Sequence, residues 1–140
     1  FLIWNWSPSK IFMGDAGSTF LGIIFSGVIL QTSNFTTFIG LLLTGFPLWA
    51  DACLCVLRRL KSKQNIFTSH KLHLYQRLHQ AGWSHSKVSL VYLSTTSFIS
   101  LSFLTGGLKI EILSCIIVLS LGIFLEVFYA KSFYNSLQGK

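Results

Sequence analysis

Four apolar stretches, at 16–30, 35–57, 88–105 and 110–130, are separated by short polar breaks, and nothing else in this 140-residue chain limits its fold so narrowly. Lipid offers no partner to a backbone N–H or C=O, so stretches of this kind sit in a bilayer only as helices. The composition agrees, with 51% hydrophobic and 11% charged residues, against roughly one quarter charged in ordinary soluble domains. The chain is therefore expected to form an all-α, polytopic membrane helix bundle rather than one aqueous core, with about four transmembrane helices in its 140 residues.

The stretches differ in kind. As a helix, 16–30 rises about 22 Å, less than a hydrocarbon core of about 30 Å, so the Gly14-Asp15 turn before it is expected to be recessed at the floor of a polar cavity. The second stretch is interrupted by Pro47, which removes a backbone hydrogen bond and kinks the span, and by Asp51 one turn later. The third is rich in Ser and Thr, which suits close helix contacts. The fourth carries Glu111 and Glu126 near its ends, where they are expected to snorkel or pair.

Charge sets the orientation. There are 11 Lys and Arg against 4 acids, a net charge of +7, and no acid lies between Arg58 and Lys87. Basic loops stay in the cytoplasm. Four spans then put Lys10, the central loop (Arg58, Arg59, Lys61, Lys63, Lys71, Arg77, Lys87) and the tail (Lys131, Lys140) inside, and leave Lys109 outside with the turns 31–34 and 106–109. The expected organisation is a cytoplasmic loop at 1–15, two spans in 16–57, a cytoplasmic basic loop at 58–87, two spans in 88–130 and a tail at 131–140. So local a basic patch implies an anionic partner, either lipid headgroups or a phosphorylated substrate, and not nucleic acid. Within it Ser69 is placed to cap a short helix from His70 to Ala81 that Gly82 stops, with His70, His73 and Arg77 on one face. The three cysteines fall in apolar stretches and give no disulfide framework. Phe1 opens the chain without a basic leader, and the expectation is a piece of a longer protein.

The sharpest local signal is Pro8-Ser9-Lys10-Ile11-Phe12-Met13-Gly14-Asp15-Ala16-Gly17-Ser18, directly before an apolar helix. Gly14 and Gly17 let backbone approach a ligand, a helix N-terminus offers N–H groups to an anion, Asp15 offers a hard oxygen to a divalent cation, and Lys10 adds a charge for phosphate. The same turn also makes a good helix cap with Asp15 or Ser18 as the capping residue, and from spacing alone both readings stand. Asp51 inside a span marks a functional site or bonds the backbone groups that Pro47 frees. Arg58 and Arg59 read first as a helix end at the headgroups. His70, His73, His79 and His85 have no thiolate nearby and no zinc spacing.

The run from Asn5 to Gly22 closely resembles the phenylalanine-methionine-glycine-aspartate loop of the polyprenyl-phosphate N-acetylhexosamine-1-phosphate transferases, glycosyltransferase family 4, which includes the enzymes that start O-antigen and teichoic-acid synthesis and the peptidoglycan lipid I synthase. Pro47, Asp51, Arg58-Arg59 and Ser69-His70-Lys71-Leu72-His73-Leu74-Tyr75-Gln76-Arg77-Leu78 are similar to that family's kinked span and cytoplasmic histidine loop, in the order of its C-terminal half. The resemblance implies that an undecaprenyl phosphate attacks the β-phosphate of a UDP-N-acetylhexosamine and releases UMP, with Mg²⁺ (or Mn²⁺) as cofactor. It makes Asp15 the metal-binding aspartate and Asp15 and His73 the catalytic pair. It gives Asn5, Lys10, Gly14, Gly17, Ser18, Arg58, His70, Lys71 and Arg77 to the substrates. The family's common His-x-His-His cluster is replaced here by His73-Leu74-Tyr75-Gln76, which resembles the branch transferring 6-deoxy-N-acetylhexosamine phosphates.

The same resemblance implies a bacterial inner-membrane enzyme whose active site faces the cytoplasm, in contact with membrane lipids and compatible with a homodimer. The family's aspartate pair and Asp-Gly-x-Asp-Gly loop are expected from a missing N-terminal half, so these residues alone are expected to be inactive. A non-catalytic membrane scaffold that binds anionic lipid through the basic loop is the alternative, and a transporter segment broken at Gly14-Asp15 a third.

Overall fold

The computed structural model describes residues 2–6, 10–63, 65 and 72–133, and among these every regular element is a helix. The order is α1 (Leu2–Asn5), α2 (Gly14–Leu30), α3 (Phe35–Thr44), α4 (Phe46–Lys61), α5 (Leu74–Gln80) and α6 (His85–Phe128). The result is an all-α, membrane-type bundle, as the apolar stretches require. Asn34 starts α3 by accepting a hydrogen bond from the Thr36 N–H at 2.8 Å. Ser84 starts α6 in the same way, accepting from the Lys87 N–H at 3.3 Å. Both are polar side chains satisfying donors that a first helical turn leaves without partners.

The 44 residues of α6 do not form one rod. Gly107 stands at φ 68° and ψ −167°, outside helical geometry, in a region that a side chain resists and glycine enters freely. The chain doubles back there. Ile99 packs with Cys115 and Val118, and Val88 with Leu125. Ser114 Oγ lies 2.7 Å from Ser102 Oγ, as two buried hydroxyls joining the limbs. The hairpin tip thus falls within the turn expected at 106–109, and each limb rises roughly 30 Å, the thickness of a hydrocarbon core.

The second apolar stretch is likewise broken, as Pro47 predicts. Here α3 and α4 meet at 68°, and Pro47 opens α4 from a buried position, at a place where its missing N–H has no helical partner to lose. Leu43 and Phe46 fill the space beside Ile99, Cys115 and Val118, so the bend lies against the middle of the hairpin. By length and composition α6 could cross a membrane, and the bent α3–α4 pair forms a second crossing if taken as one span. At 17 residues α2 is short, and between Ala16 and Leu30 only Gly17 and Ile29 are withdrawn from the surface.

Two acids correct or complete the expectation for the fourth stretch. Glu126 pairs, as described below. Glu111 does neither of the things expected of it: it is 0% exposed, and both carboxyl oxygens have no hydrogen-bond partner among the described residues.

Candidate functional site

The turn before α2 is built from its own backbone. The Trp4 carbonyl accepts from the Lys10 N–H at 2.8 Å and the Ile11 N–H at 3.3 Å, and Asn5 Nδ2 donates to the Ile11 carbonyl at 2.8 Å. Asn5, expected at the substrates, therefore serves as a staple for this loop. Lys10 is exposed, with Nζ 5.5 Å above the Trp4 ring. Gly14 has φ +63°, a left-handed position that turns the chain into α2 without a Cβ clash. A Cβ on Gly17 would lie 2.4 Å from Met13 Cγ, so Gly17 makes room for that side chain.

The capping alternative does not hold. No side chain caps α2, and Ser18 Oγ donates within the turn to the Asp15 carbonyl at 3.1 Å. The Asp15 carboxylate is left exposed in the first turn of a helix, where the aligned peptide dipoles favour negative charge and the N–H groups point outward. Among the described residues no three His, Cys, Asp or Glu converge, so one carboxylate does not fit a resident divalent cation by itself.

A second cluster lies where α4 meets α5. The Asp51 carboxylate accepts from the Leu74 N–H at 2.8 Å through Oδ1 and faces His73 Nδ1 at 3.3 Å through Oδ2. The His73 backbone is extended (φ −61°, ψ 151°), and α5 begins only at Leu74. The helix expected from His70 is thus observed only from Leu74: His73 stands at its N-cap in a capping box with Gln76, whose Oε1 accepts from the His73 N–H at 3.3 Å, and Asp51 of α4 satisfies the Leu74 N–H across the fold. His73 precedes the helix instead of sharing a face with Arg77; Ser69, His70 and Lys71 lie outside the described residues. The helix does stop as expected at Gly82 (φ +97°), with the Trp83 N–H returning to the Leu78 carbonyl at 3.2 Å. Tyr75 stacks on His73 at 5.6 Å, and burial, helped by the Asp51 charge, pushes its phenol up from the ordinary tyrosine value.

The third cluster corrects the arginines. Glu126 receives both terminal nitrogens of Arg58, and Arg77 Nη1 reaches the same carboxylate at 2.9 Å. Arg77 Nε donates to the Lys131 carbonyl at 2.9 Å. Only 1% exposed, Arg77 is committed to tying α5 to the end of α6 and is not a group a substrate can reach. Arg59, expected at the headgroups, is 2% exposed and donates to the Asn65 carbonyl. Arg58 keeps a partly exposed side chain beside Glu126. A cleft runs between α4 and α6, apolar along Pro47, Leu54, Val118 and Gly122 and ending at Asp51, Arg58 and Glu126.

The structure thus brings His73 together with Asp51, and Arg58 with Arg77. Among the described residues nothing bonds the Asp15 turn to either cluster. Tyr75 and Tyr92, which close around Asp51 and His73, carry no local sequence signal that would have marked them.

The family model described as Glycosyl transferase family 4 matches residues 1–33, which hold the Asp15 turn and α2. The chain is 33% identical over 132 residues to a probable undecaprenyl-phosphate N-acetylglucosaminyl 1-phosphate transferase of Bacillus subtilis, covering 91% of this chain and 37% of that protein. It is 35% identical over 109 residues to the decaprenyl-phosphate N-acetylglucosaminephosphotransferase of Mycobacterium leprae (66% and 27%). With the phospho-N-acetylmuramoyl-pentapeptide-transferase of Carboxydothermus hydrogenoformans it shares 34% identity over 98 residues (69% and 29%). The chain spans about a third of the length of these relatives. No solved structure matches. The glycine-borne Asp15 turn, the broken span and the likeness along most of the sequence lead to one conclusion: the chain belongs to glycosyl transferase family 4.

Proposed function

We propose that this chain is part of a membrane enzyme that transfers N-acetylhexosamine 1-phosphate from a UDP-sugar to undecaprenyl or another polyprenyl phosphate, releasing UMP and beginning a cell-envelope polysaccharide such as O-antigen. The observation that carries the reading is the Asp15 turn: an uncapped, exposed carboxylate at the start of an apolar helix, within the residues that the family model matches. The names of two of the three relatives point to N-acetylglucosamine as the sugar.

Two anions must meet in this reaction, so their repulsion has to be offset. Asp15 would supply one ligand to the Mg²⁺ or Mn²⁺ expected with a diphosphate donor, whose positive charge would offset that repulsion, and Lys10, Gly14, Gly17 and Ser18 form the polar turn around Asp15. Arg58 and His73 face the donor's phosphates, with His70 and Lys71 beside them in sequence. The site faces the cytoplasm of the bacterial inner membrane, the side on which nucleotide sugars are found. Asp15→Asn in the intact membrane protein is expected to abolish UMP release from a UDP-N-acetylhexosamine in the presence of polyprenyl phosphate and Mg²⁺. Near-normal metal-dependent turnover would overturn the reading. In the same assay residues 1–140 alone are expected to release no UMP.

A further inference from the structure

Asp51 is the acid that the transfer reaction leaves without a task, and its surroundings go beyond what a helix cap needs. Its side chain is 11% exposed, one turn past Pro47, so the break between α3 and α4 fixes the direction in which it points. One oxygen suffices to satisfy the Leu74 N–H that opens α5. The other is directed at His73 Nδ1, on the residue just before the Leu74 whose N–H the first oxygen accepts. The ring is held on another side by Tyr75, stacked at 5.6 Å and 17°. Tyr75 in turn meets Tyr92 of α6 edge-on at 6.2 Å, and the Tyr92 phenol faces Asp51. Three elements therefore converge on one imidazole.

We propose that Asp51 is a positioning residue: its carboxylate holds the His73 ring by Nδ1 and so presents Nε2 to the diphosphate of the donor. The Gln76 N–H also approaches this side chain in the capping box that opens α5; with a carboxylate, which only accepts, facing Nδ1, the proposal places the proton on that nitrogen and leaves the other as the working one. Because the cap and the ring share one carboxylate, the orientation of His73 is tied to the broken span. The proposal rests on the reading that His73 meets the donor. The groups facing the pair are Tyr75 from α5, Tyr92 from α6 and Cys55 from α4.

The test uses the intact membrane protein. Asp51→Asn is expected to raise KM for the UDP-sugar about tenfold while kcat changes by less than about threefold, the pattern of lost donor binding. In a His73→Ala background the same substitution is expected to add less than about twofold, since two residues acting as a unit are not additive. Nitrogen NMR of ¹⁵N-histidine-labelled protein, with His73 assigned by its loss in His73→Ala, is expected to show the neutral ring protonated at Nδ1. A neutral ring protonated at Nε2 in the unsubstituted protein overturns the proposal, whether or not Asp51→Asn folds. Additive losses overturn it too, leaving Asp51 as a cap alone. A silent His73→Ala instead overturns the reading of His73 beneath it, and the proposal with it.

Discussion

One carboxylate, Glu126, holds two arginines that lie 68 and 49 residues away in the chain, and this sharing decides which charges are structural. Arg77 is fully enclosed, so removing its partner leaves a cation without compensation in a site closed to water. Glu126→Ala is therefore expected to destabilise the protein by about 3 kcal/mol, seen as a lower thermal midpoint in detergent. Arg77→Met is expected to cost less, because Glu126 keeps Arg58. Equal losses for the two would show that the cluster is not organised around Glu126. None of this was legible in the residues themselves. A run of basic residues looks the same in sequence whether its arginines meet phosphates or a distant acid, and only the hairpin brings position 126 back to α4. Asp15 was legible because its setting is local: two glycines and the start of an apolar helix lie within three positions of it.

At the scale of the element, breaks were easier to read than beginnings. Pro47, Gly82 and the Gly106-Gly107 pair each act on their own backbone, and each bend or stop lies where they stand. The start of α5 lies at Leu74 and not at His70 because the local His73–Gln76 capping box is completed by Asp51 of α4, and a sequence window around Ser69 holds no trace of Asp51. The strongest of these local devices is the hairpin tip. Gly107→Val, forced to φ 68° and ψ −167°, a region open essentially to glycine alone, is expected to cost about 1–3 kcal/mol, and Gly107→Asn about as much, because asparagine's tolerance is for the left-handed helical region and not for this one. Thermal midpoints of the two variants in the same detergent provide the check, and an unaffected Gly107→Val would mean that the hairpin turns elsewhere.

For the whole molecule, the charge asymmetry and the packing give one arrangement. The hairpin tip and the start of α3 lie toward one end, and the open end of the hairpin is closed by α5 and the Arg58–Glu126–Arg77 cluster. The basic residues gather at that second end, which is therefore expected to face the cytoplasm. Single cysteines replacing Thr32 or Lys109, in a background without Cys53, Cys55 and Cys115, are expected to react with a membrane-impermeant maleimide from outside intact cells. Cysteines replacing Lys63 or Lys131 are expected to react only after lysis, and the reverse pattern would invert the topology. The near-isolation of α2 has its own consequence. Buried only at Ile29, near its far end, and with Phe20, Ile23 and Val28 turned outward, it is a cantilever whose tip carries Asp15. Its aim is set by whatever apolar medium grips its flanks, so bilayer thickness becomes a control on where the Asp15 carboxylate stands.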